Sequence, residues 1–403
     1  MTDTNILVGD CRQILETLPE QSVQCVVTSP PYWGQRDYGV DGMIGLEADV
    51  HTWLTVMVDV FRGVRRVLRD DGTVWLNLGD KYAGSGGAGG DYNAGGLKAE
   101  QSGTGPSAST KQSGFKQKDL MGLPWRVALA LQDDGWYLRR DIIWHKPNPM
   151  PESATDRPAT AHEYVFLLTK QPRYFYDADA VRTITGKEAS PENYGGKGLI
   201  THPTGPERKA VDLGSGMSQT KVMPNTTHPA GASLRSVWKI ATQAFGGAHY
   251  ATYPEKLVEP CIQAGTSEAG ECPECGAPWK RVVDISYGKS PVHGRGSVVG
   301  RHEISGQNNF DGKGYPRIAK LTETLGWQPT CDHKLEPIPQ TVLDPFSGAG
   351  TTGLVAARFD RNYIGIELNP EYAAMSRKRI ADRVGVTDPE QLEDNEQAQG
   401  QLF

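Results

Sequence analysis

Two strand-length apolar runs at opposite ends of the chain each break into a turn that cannot continue a β-ladder. Val23 to Val27 runs into TSPPYWG at 28–34, and the run starting at Thr341 runs into DPFSGAGTTG at 344–353. Proline removes a donor and fixes φ, while glycine opens backbone conformations that other residues avoid. Both turns therefore end strands, and in open α/β sheets ligands gather just beyond the carboxyl ends of strands. The chain must build a fold that offers two such ends.

The sequence between them alternates in the way such a fold requires. Residues 5–9 read as a strand, 11–18 as a short helix and 23–28 as a second strand. Over 50–69 the apolar positions Trp53, Leu54, Met57, Val58, Phe61, Val64 and Leu68 recur at three and four, which predicts an amphipathic helix. Asp70-Asp71-Gly72 reads as the turn that ends it, and TVWLNLG as a buried strand. The pattern predicts a further helix over 120–132, a turn at Asp133-Asp134-Gly135, and strands at 136–144 and 161–170. A helix follows at 253–263 with Pro254 in its first turn. Strand 341–346, helix 352–359, strand 362–367 and a last helix from 370 to about 383 complete the series. Alternation of this kind implies an α/β fold, a mostly parallel mixed sheet with helices on both faces.

Composition narrows the class. No apolar run reaches the 18 residues of a spanning helix, and the first residues lack a basic start followed by an apolar stretch, so a cytoplasmic protein without a membrane partner is expected. The net charge of −6 argues weakly against a generic polyanion binder, although a local basic face matters more than the sum. Asp388, Glu390, Glu393, Asp394 and Glu396 make 386–403 an acidic tail, expected to be solvated and disordered. The 10 glycines between 83 and 114 are too permissive for a packed core, so 83–118 reads as a mobile loop.

The two turns carry different chemistry. Behind the second turn, strand 362–367 ends in Glu367, an acid placed to accept both ribose hydroxyls of a nucleoside. No G-x-G-x-x-G and no Gly-Lys-Ser/Thr is present there, so a nucleoside cofactor without a pyrophosphate fits better than a dinucleotide. In the first turn, the double proline can hold Ser29 and the Pro30 carbonyl as rigid acceptors, and Tyr32 and Trp33 offer faces for a planar ring. An exocyclic amine on a nucleobase needs such acceptors, since its lone pair is delocalised into the ring. The competing reading is that Pro-Pro-Tyr merely ends a strand and packs an aromatic, and that the glycine turn is only an αβ turn.

Taken together, TSPPYW and DPFSGAGTTG resemble the S-adenosylmethionine-dependent DNA amino-methyltransferases that act on N4 of cytosine or N6 of adenine, in the β-class order where the catalytic motif precedes the cofactor motif. LVGDC at 7–11, VLRDDGTVWLNLGD at 67–80, GWYLRRDIIWHKPNPMP at 135–151, AHEYVFLLTK at 161–170 and HYATYPEKLVEPCI at 249–262 extend the resemblance in the usual order. It implies a Rossmann-like class I methyltransferase fold and S-adenosylmethionine as cofactor. It also implies double-stranded DNA as partner, and it is compatible with a homodimer and with a cognate restriction endonuclease. Ser29, Pro30, Pro31 and Tyr32 match the catalytic tetrad, with Ser29 and the Pro30 carbonyl receiving the target amine and Tyr32 stacking on the flipped base. Asp344, Phe346, Gly348 and Gly350 match the cofactor loop, and Glu367 the ribose acid. Asp10 matches a polar residue near the adenine amine, and Thr252 and Pro254 fall beside the methionine moiety. Thr351 or Thr352 can cap the next helix. Serine rather than aspartate at 29 leans towards cytosine N4, with adenine N6 the alternative. Cys11 and Cys25 read as ordinary buried residues, since amine attack needs no thiol.

The resemblance divides the chain into a catalytic half at 1–176, a target-recognition region at 177–235, a return to the main domain at 236–264, an insertion at 265–337 and a cofactor half at 338–385. Candidates for DNA contact are Arg208, Lys209, Lys221 and Arg235, then Lys98, Lys111, Lys116 and Lys118 in the glycine loop, then Arg139, Arg140, His145 and Lys146, and Lys280, Arg281, Arg295 and Arg301 in the insertion. A solvated basic surface is the plainer reading of each. Arg36 and Asp37, directly after the catalytic turn, order its rim, touch DNA or form a surface ion pair. The insertion carries Cys272-Pro-Glu-Cys275-Gly and, much later, Cys331-Asp-His333, a spacing suited to a structural zinc ion, with His293 and His302 competing for the fourth position. Transfer to RNA or to a protein glutamine amide, and a zinc-bearing DNA-binding protein without catalysis, remain the alternatives.

Overall fold

The computed structural model describes residues 2–34, 39–83, 114–183, 233–243, 252–289 and 318–384. Residues 84–113 of the glycine loop, nearly all of 177–235, Arg36, Asp37, His293, His302 and the acidic tail therefore lie outside the described residues. By its internal contacts the chain divides into two compact units. One comprises Met1–Val181, Arg235–Arg281 and Trp327–Phe403, and the other Arg182–Leu234 and Val282–Gly326.

The first unit is built on strands β1 (Thr4–Val8), β2 (Val23–Thr28), β3 (Leu68–Leu78), β4 (Tyr137–His145), β5 (His162–Thr169), β6 (Val237–Lys239), β9 (Thr341–Asp344) and β10 (Asn362–Glu367). They lie in the order β1-β10-β9-β2-β3-β5-β4-β6. Every pairing is parallel except β3 with β5 and β5 with β4. Both exceptions involve β5, which follows β4 through 146–161 without an intervening helix and inserts between β3 and β4, running against each. Helices α1 (Cys11–Thr17), α2 (Val50–Val67) and α3 (Leu123–Asp133) pack in series, as do α4 (Glu255–Gly265), α5 (Thr351–Arg358) and α6 (Pro370–Val384). The result is a mixed, mostly parallel sheet with flanking helices. β2 is buried at all six positions, as expected of a parallel strand covered on both faces.

α2 forms because Asp49 caps it through the backbone N–H groups of His51 and Thr52, at 2.8 and 2.9 Å. Its apolar stripe buries Trp53, Met57, Phe61 and Val64 completely, each removal from water contributing about 1.5–3 kcal/mol before entropy is counted. The expected turn at Asp70-Asp71-Gly72 is not a turn. β3 starts at Leu68, directly after α2, and its register against β2 shifts between Val23↔Leu68 and Cys25↔Thr73, so these residues form an irregularity within the strand. Gly72 is required there, because a Cβ would stand 2.8 Å from the Gln24 carbonyl oxygen. The three-residue β6 is too short to have left a periodic signal; its Trp238 is buried, 6.3 Å from the ring of Trp75. In the insertion, β7 (Lys280–Lys289) and β8 (Ile318–Gln328) pair with each other in a separate two-stranded sheet.

Candidate active site

β2 and β9 are parallel neighbours, with Cys25 opposite Val342 and Val26 opposite Leu343. Their terminal turns, 29–32 and 345–350, therefore leave the sheet side by side, about one strand spacing of 4.8 Å apart at the root. Thr28 and Asp344 end the two strands, and Thr28 Oγ1 donates to Asp344 Oδ1 at 2.7 Å. The turns open onto one cavity of about 770 Å³, lined by Ser29, Pro30, Pro31, Tyr32, Phe346, Gly348, Glu367, Asp10 and Thr252. The space between the turns is thus open.

On the cofactor side, Glu367 ends β10, between β1 and β9. Its Oε2 accepts from Gly348 N at 2.8 Å and its Oε1 from Asn369 N at 2.9 Å, which leaves each oxygen a further lone pair towards the cavity. Burial pushes this carboxyl above its ordinary range. Gly350 adopts φ +69° as the N-cap of α5, and a Cβ there would meet Ser376 Oγ at 2.0 Å, so the turn passes α6 at a distance only glycine permits. Asp10 caps α1 by accepting from Arg12 N at 2.9 Å, and the Arg12 side chain, hydrogen-bonded to it, holds its carboxyl below the usual range.

Three cofactor-side expectations are revised by placement. Asp344 is 1% exposed and does not line the cavity; besides Thr28 it accepts from Phe346 N at 3.1 Å, Thr352 Oγ1 at 3.0 Å and Tyr253 Oη at 3.0 Å. Its acceptor sites are spent inside the protein, where it ties β2, β9, α5 and the segment before α4 together. Pro254 is the N-cap of α4 and does not line the cavity, whereas Thr252 does. Neither Thr351 nor Thr352 caps α5: Thr351 Oγ1 accepts from Arg379, and Thr352 is buried against Asp344 and the Val27 carbonyl.

On the catalytic side, Ser29 Oγ lies 3.2 Å from the Tyr32 hydroxyl, which in turn lies 3.1 Å from Glu163 Oε2 and 3.4 Å from Asn77 Oδ1. Burial, with Glu163 beside it, pushes the Tyr32 phenol well above its ordinary value, so it stays a neutral donor. Gly79 makes room for this arrangement, since a Cβ there would stand 2.9 Å from Tyr32 Cε2. Trp33 is not available for stacking: it is 1% exposed, and its indole N–H donates to the Glu47 carbonyl at 2.9 Å. Lys146, read as a DNA-backbone candidate, instead pairs with Glu163 Oε1 in the cavity wall. Asn77, Lys146 and Glu163 form the side of the site that sequence reasoning missed. The available signal was polar residues at strand ends, in NLGD and AHEY, within otherwise apolar runs.

Among the described residues, most of the other basic candidates already have partners. Lys116 and Lys118 pair with Asp119 and Asp156 at 3.6 and 2.8 Å, Arg139 lies over the ring of Tyr174, and Arg140 donates to Ser236 Oγ at 3.3 Å. His145 ends β4 opposite His162. Arg281 pairs with Asp177 and Glu268 at 3.0 and 2.8 Å, while Arg235 and Lys280 are described without such pairs. The remaining candidates, Arg208, Lys209, Lys221, Lys98, Lys111, Arg295 and Arg301, lie outside the described residues. Cys11, Cys25 and Cys261 are buried, and burial pushes the first two thiols up to about 12.

Away from the cavity, Cys272, Cys275, Cys331 and His333 bring four ligand atoms within 4.8 Å of one another. The knuckle is closed by Gly276 N donating to the Cys272 carbonyl at 2.7 Å and Cys272 N to the Ala277 carbonyl at 2.9 Å, with Gly276 at φ +63°. His333 Nδ1 lies 3.3 Å from Cys275 Sγ and 3.6 Å from Cys272 Sγ. A tetrahedron with zinc–sulfur bonds of about 2.3 Å and zinc–nitrogen bonds of about 2.0 Å has edges of roughly 3.5–3.8 Å. The donor set and its spacing therefore fit such an ion. Arg69 Nη2 donates to the Cys275 carbonyl at 2.9 Å and so anchors the knuckle to the start of β3.

With this geometry in hand, comparison with known proteins is informative. The profile of a family described as DNA methylase matches residues 23–272 and 335–378. The type II methyltransferase M.XycI of Xanthomonas campestris pv. cyanopsidis is 37% identical, covering 94% of this chain and 87% of its own. M.Cfr9I of Citrobacter freundii is 35% identical over 94% and 88%, and M.SmaI of Serratia marcescens 34% identical over 94% and 91%. Among solved structures, PvuII DNA methyltransferase (cytosine-N4-specific) superposes with a TM-score of 0.50 at 16% identity, covering 98% of this chain and 91% of that one, a likeness of fold.

Proposed function

Since the chain belongs to the N6/N4 DNA methylase family and is an S-adenosylmethionine-dependent DNA methyltransferase, we propose that it methylates N4 of a flipped cytosine at one short site in double-stranded DNA. The observation that carries the reading is the shared cavity, which Ser29 and Pro30 line together with Phe346 and Gly348 of the glycine turn. Bound S-adenosylmethionine supplies an electrophilic sulfonium methyl. Glu367 is suited to hold its ribose, Gly348 lets its body approach the backbone, Gly350 instead seats the turn against Ser376 of α6, and Asp10 lines the same cavity. The protein's task at the other end is to orient an amine: Ser29 Oγ and the Pro30 carbonyl accept its hydrogens and hold its lone pair towards the methyl. Tyr32 lies against the base. Removal from the stack is required, since no side chain in the cavity could reach an amine inside a duplex. Serine at 29 favours cytosine, and the PvuII enzyme that shares the fold is named as specific for cytosine N4. Incubation with unmethylated genomic DNA, followed by nucleoside mass spectrometry and base-resolution mapping, tests reaction, base and site together. N4-methylcytosine at one motif is expected, N6-methyladenine would correct the base, and no methylated nucleoside at all would overturn the reading.

The cysteine–histidine cluster is the second element of the proposal: a structural zinc ion held by Cys272, Cys275, Cys331 and His333. A closed set of four protein ligands leaves no open position for substrate, so the ion staples the segment rather than taking part in transfer. One zinc per chain in the purified protein is expected, and a substoichiometric content would remove the idea.

A further inference from the structure

We propose that Glu163, acting through the hydroxyl of Tyr32, sets the direction of the Ser29 hydroxyl so that Ser29 Oγ meets the target amine as an acceptor. The inference rests on the methyltransferase reading and concerns the same cavity.

Counting protons gives the argument. The Tyr32 hydroxyl has one proton and lies between Ser29 Oγ at 3.2 Å and Glu163 Oε2 at 3.1 Å. A carboxylate can only accept, so the phenol proton points to Glu163 and the phenol oxygen is left to accept from Ser29. Ser29 then has no proton for the cavity. Its remaining lone pairs face outward, where the N–H of an exocyclic amine must be received. The opposite orientation would set a donor against a donor. Asn77 Oδ1 competes for the phenol proton only at 3.4 Å, while Asn77 Nδ2 donates to Glu163 Oε2 at 3.1 Å and to the Tyr164 carbonyl at 3.1 Å. Lys146 holds the other carboxylate oxygen. The carboxylate is therefore pinned by two donors, Asn77 on β3 and Lys146 directly after β4, and presents its remaining acceptor capacity to Tyr32. Glu163 is a positioning residue, since its path to the amine runs through two other side chains.

The test uses Glu163→Gln, Tyr32→Phe and their combination in the full-length enzyme, on a duplex carrying the mapped site. Tyr32→Phe keeps the ring and removes only the hydroxyl. Each single change is expected to lower kcat about ten- to a hundredfold, with KM for S-adenosylmethionine within about twofold. The double variant should lose little beyond Tyr32→Phe alone, because both changes cut one chain. A second readout needs no turnover: cofactor-free equilibrium binding of the site duplex against a duplex whose target base lacks the amine, pyrimidin-2-one for cytosine or purine for adenine. Removing the amine also weakens the base pair and eases flipping, so the readout is the ratio of the two affinities: relative to wild type, both variants should shift it against the amine-bearing duplex. Unchanged kcat in Tyr32→Phe, fully multiplicative losses in the double variant, or a wild-type affinity ratio in Glu163→Gln would each overturn the inference. If the wild type itself transfers no methyl to DNA, the functional reading fails instead, and the two failures are told apart by that control.

Discussion

At residue scale the proposed mechanism divides labour between groups that touch the amine and groups that only orient them, and it puts Ser29 among the first. Ser29→Ala is expected to reduce methyl transfer to DNA at least about a hundredfold, since an acceptor used in the transition state is lost. Its affinity for S-adenosylmethionine by calorimetry should stay near wild type, because Ser29 stands on the β2 turn and not on the glycine turn. The proposed transfer requires no cysteine. With Cys11 and Cys25 pushed up to about 12 by burial, the thiolate fraction at pH 8 is about 10⁻⁴. Peptide mapping after iodoacetamide treatment of the native enzyme at pH 8 should leave both unmodified, with transfer activity retained by the same sample. The motif TSPPYW singles out Ser29 and Tyr32 from sequence, and both line the cavity. Glu163 and Lys146 were not legible, because an isolated Glu at the start of an apolar strand and a Lys at the end of another look like solvated strand ends until the sheet order sets β4 and β5 beside β3.

At the scale of elements, the glycine turn and α5 form one device. Gly350 stands at φ +69° and faces Ser376 on α6. Gly350→Ala must both strain the backbone and displace α6, so a loss of at least about 1–3 kcal/mol is expected. It should appear as a lowered midpoint in thermal unfolding and as weaker S-adenosylmethionine binding. The helices and strands that carry this device were legible, since 3.6-residue and strand-length patterns are local properties. The Asp70-Asp71-Gly72 segment was misread as a turn for the same reason: its composition is that of a turn, but pairing of Leu68 with Val23 draws it into β3 as an irregularity. Asp344 was placed on the cofactor by its motif, whereas packing turns its carboxylate inward onto Thr28, Thr352 and Tyr253.

For the whole molecule, the catalytic sheet and the cysteine–histidine cluster are separable features of one unit. Prolonged treatment with a strong chelator should lower the thermal midpoint of the protein, since a bound ion contributes its binding free energy to folding. Below that midpoint, with cofactor in excess, transfer should persist. Loss of all turnover without any change in unfolding would contradict a purely structural ion. Among the described residues no helix is long and apolar enough to cross a membrane. The alternation of strands and helices, the two strand-ending turns and the cysteine spacing are written in local sequence, because each follows from the backbone preferences of a few adjacent residues. That the turns share a cavity was decided only by the tertiary structure. Residues 29 and 346 are joined by no local rule; they meet because the sheet places β9 against β2 in parallel, and that order is set by long-range burial of both faces. The same long-range packing, not any motif, brings Glu163 beneath Tyr32.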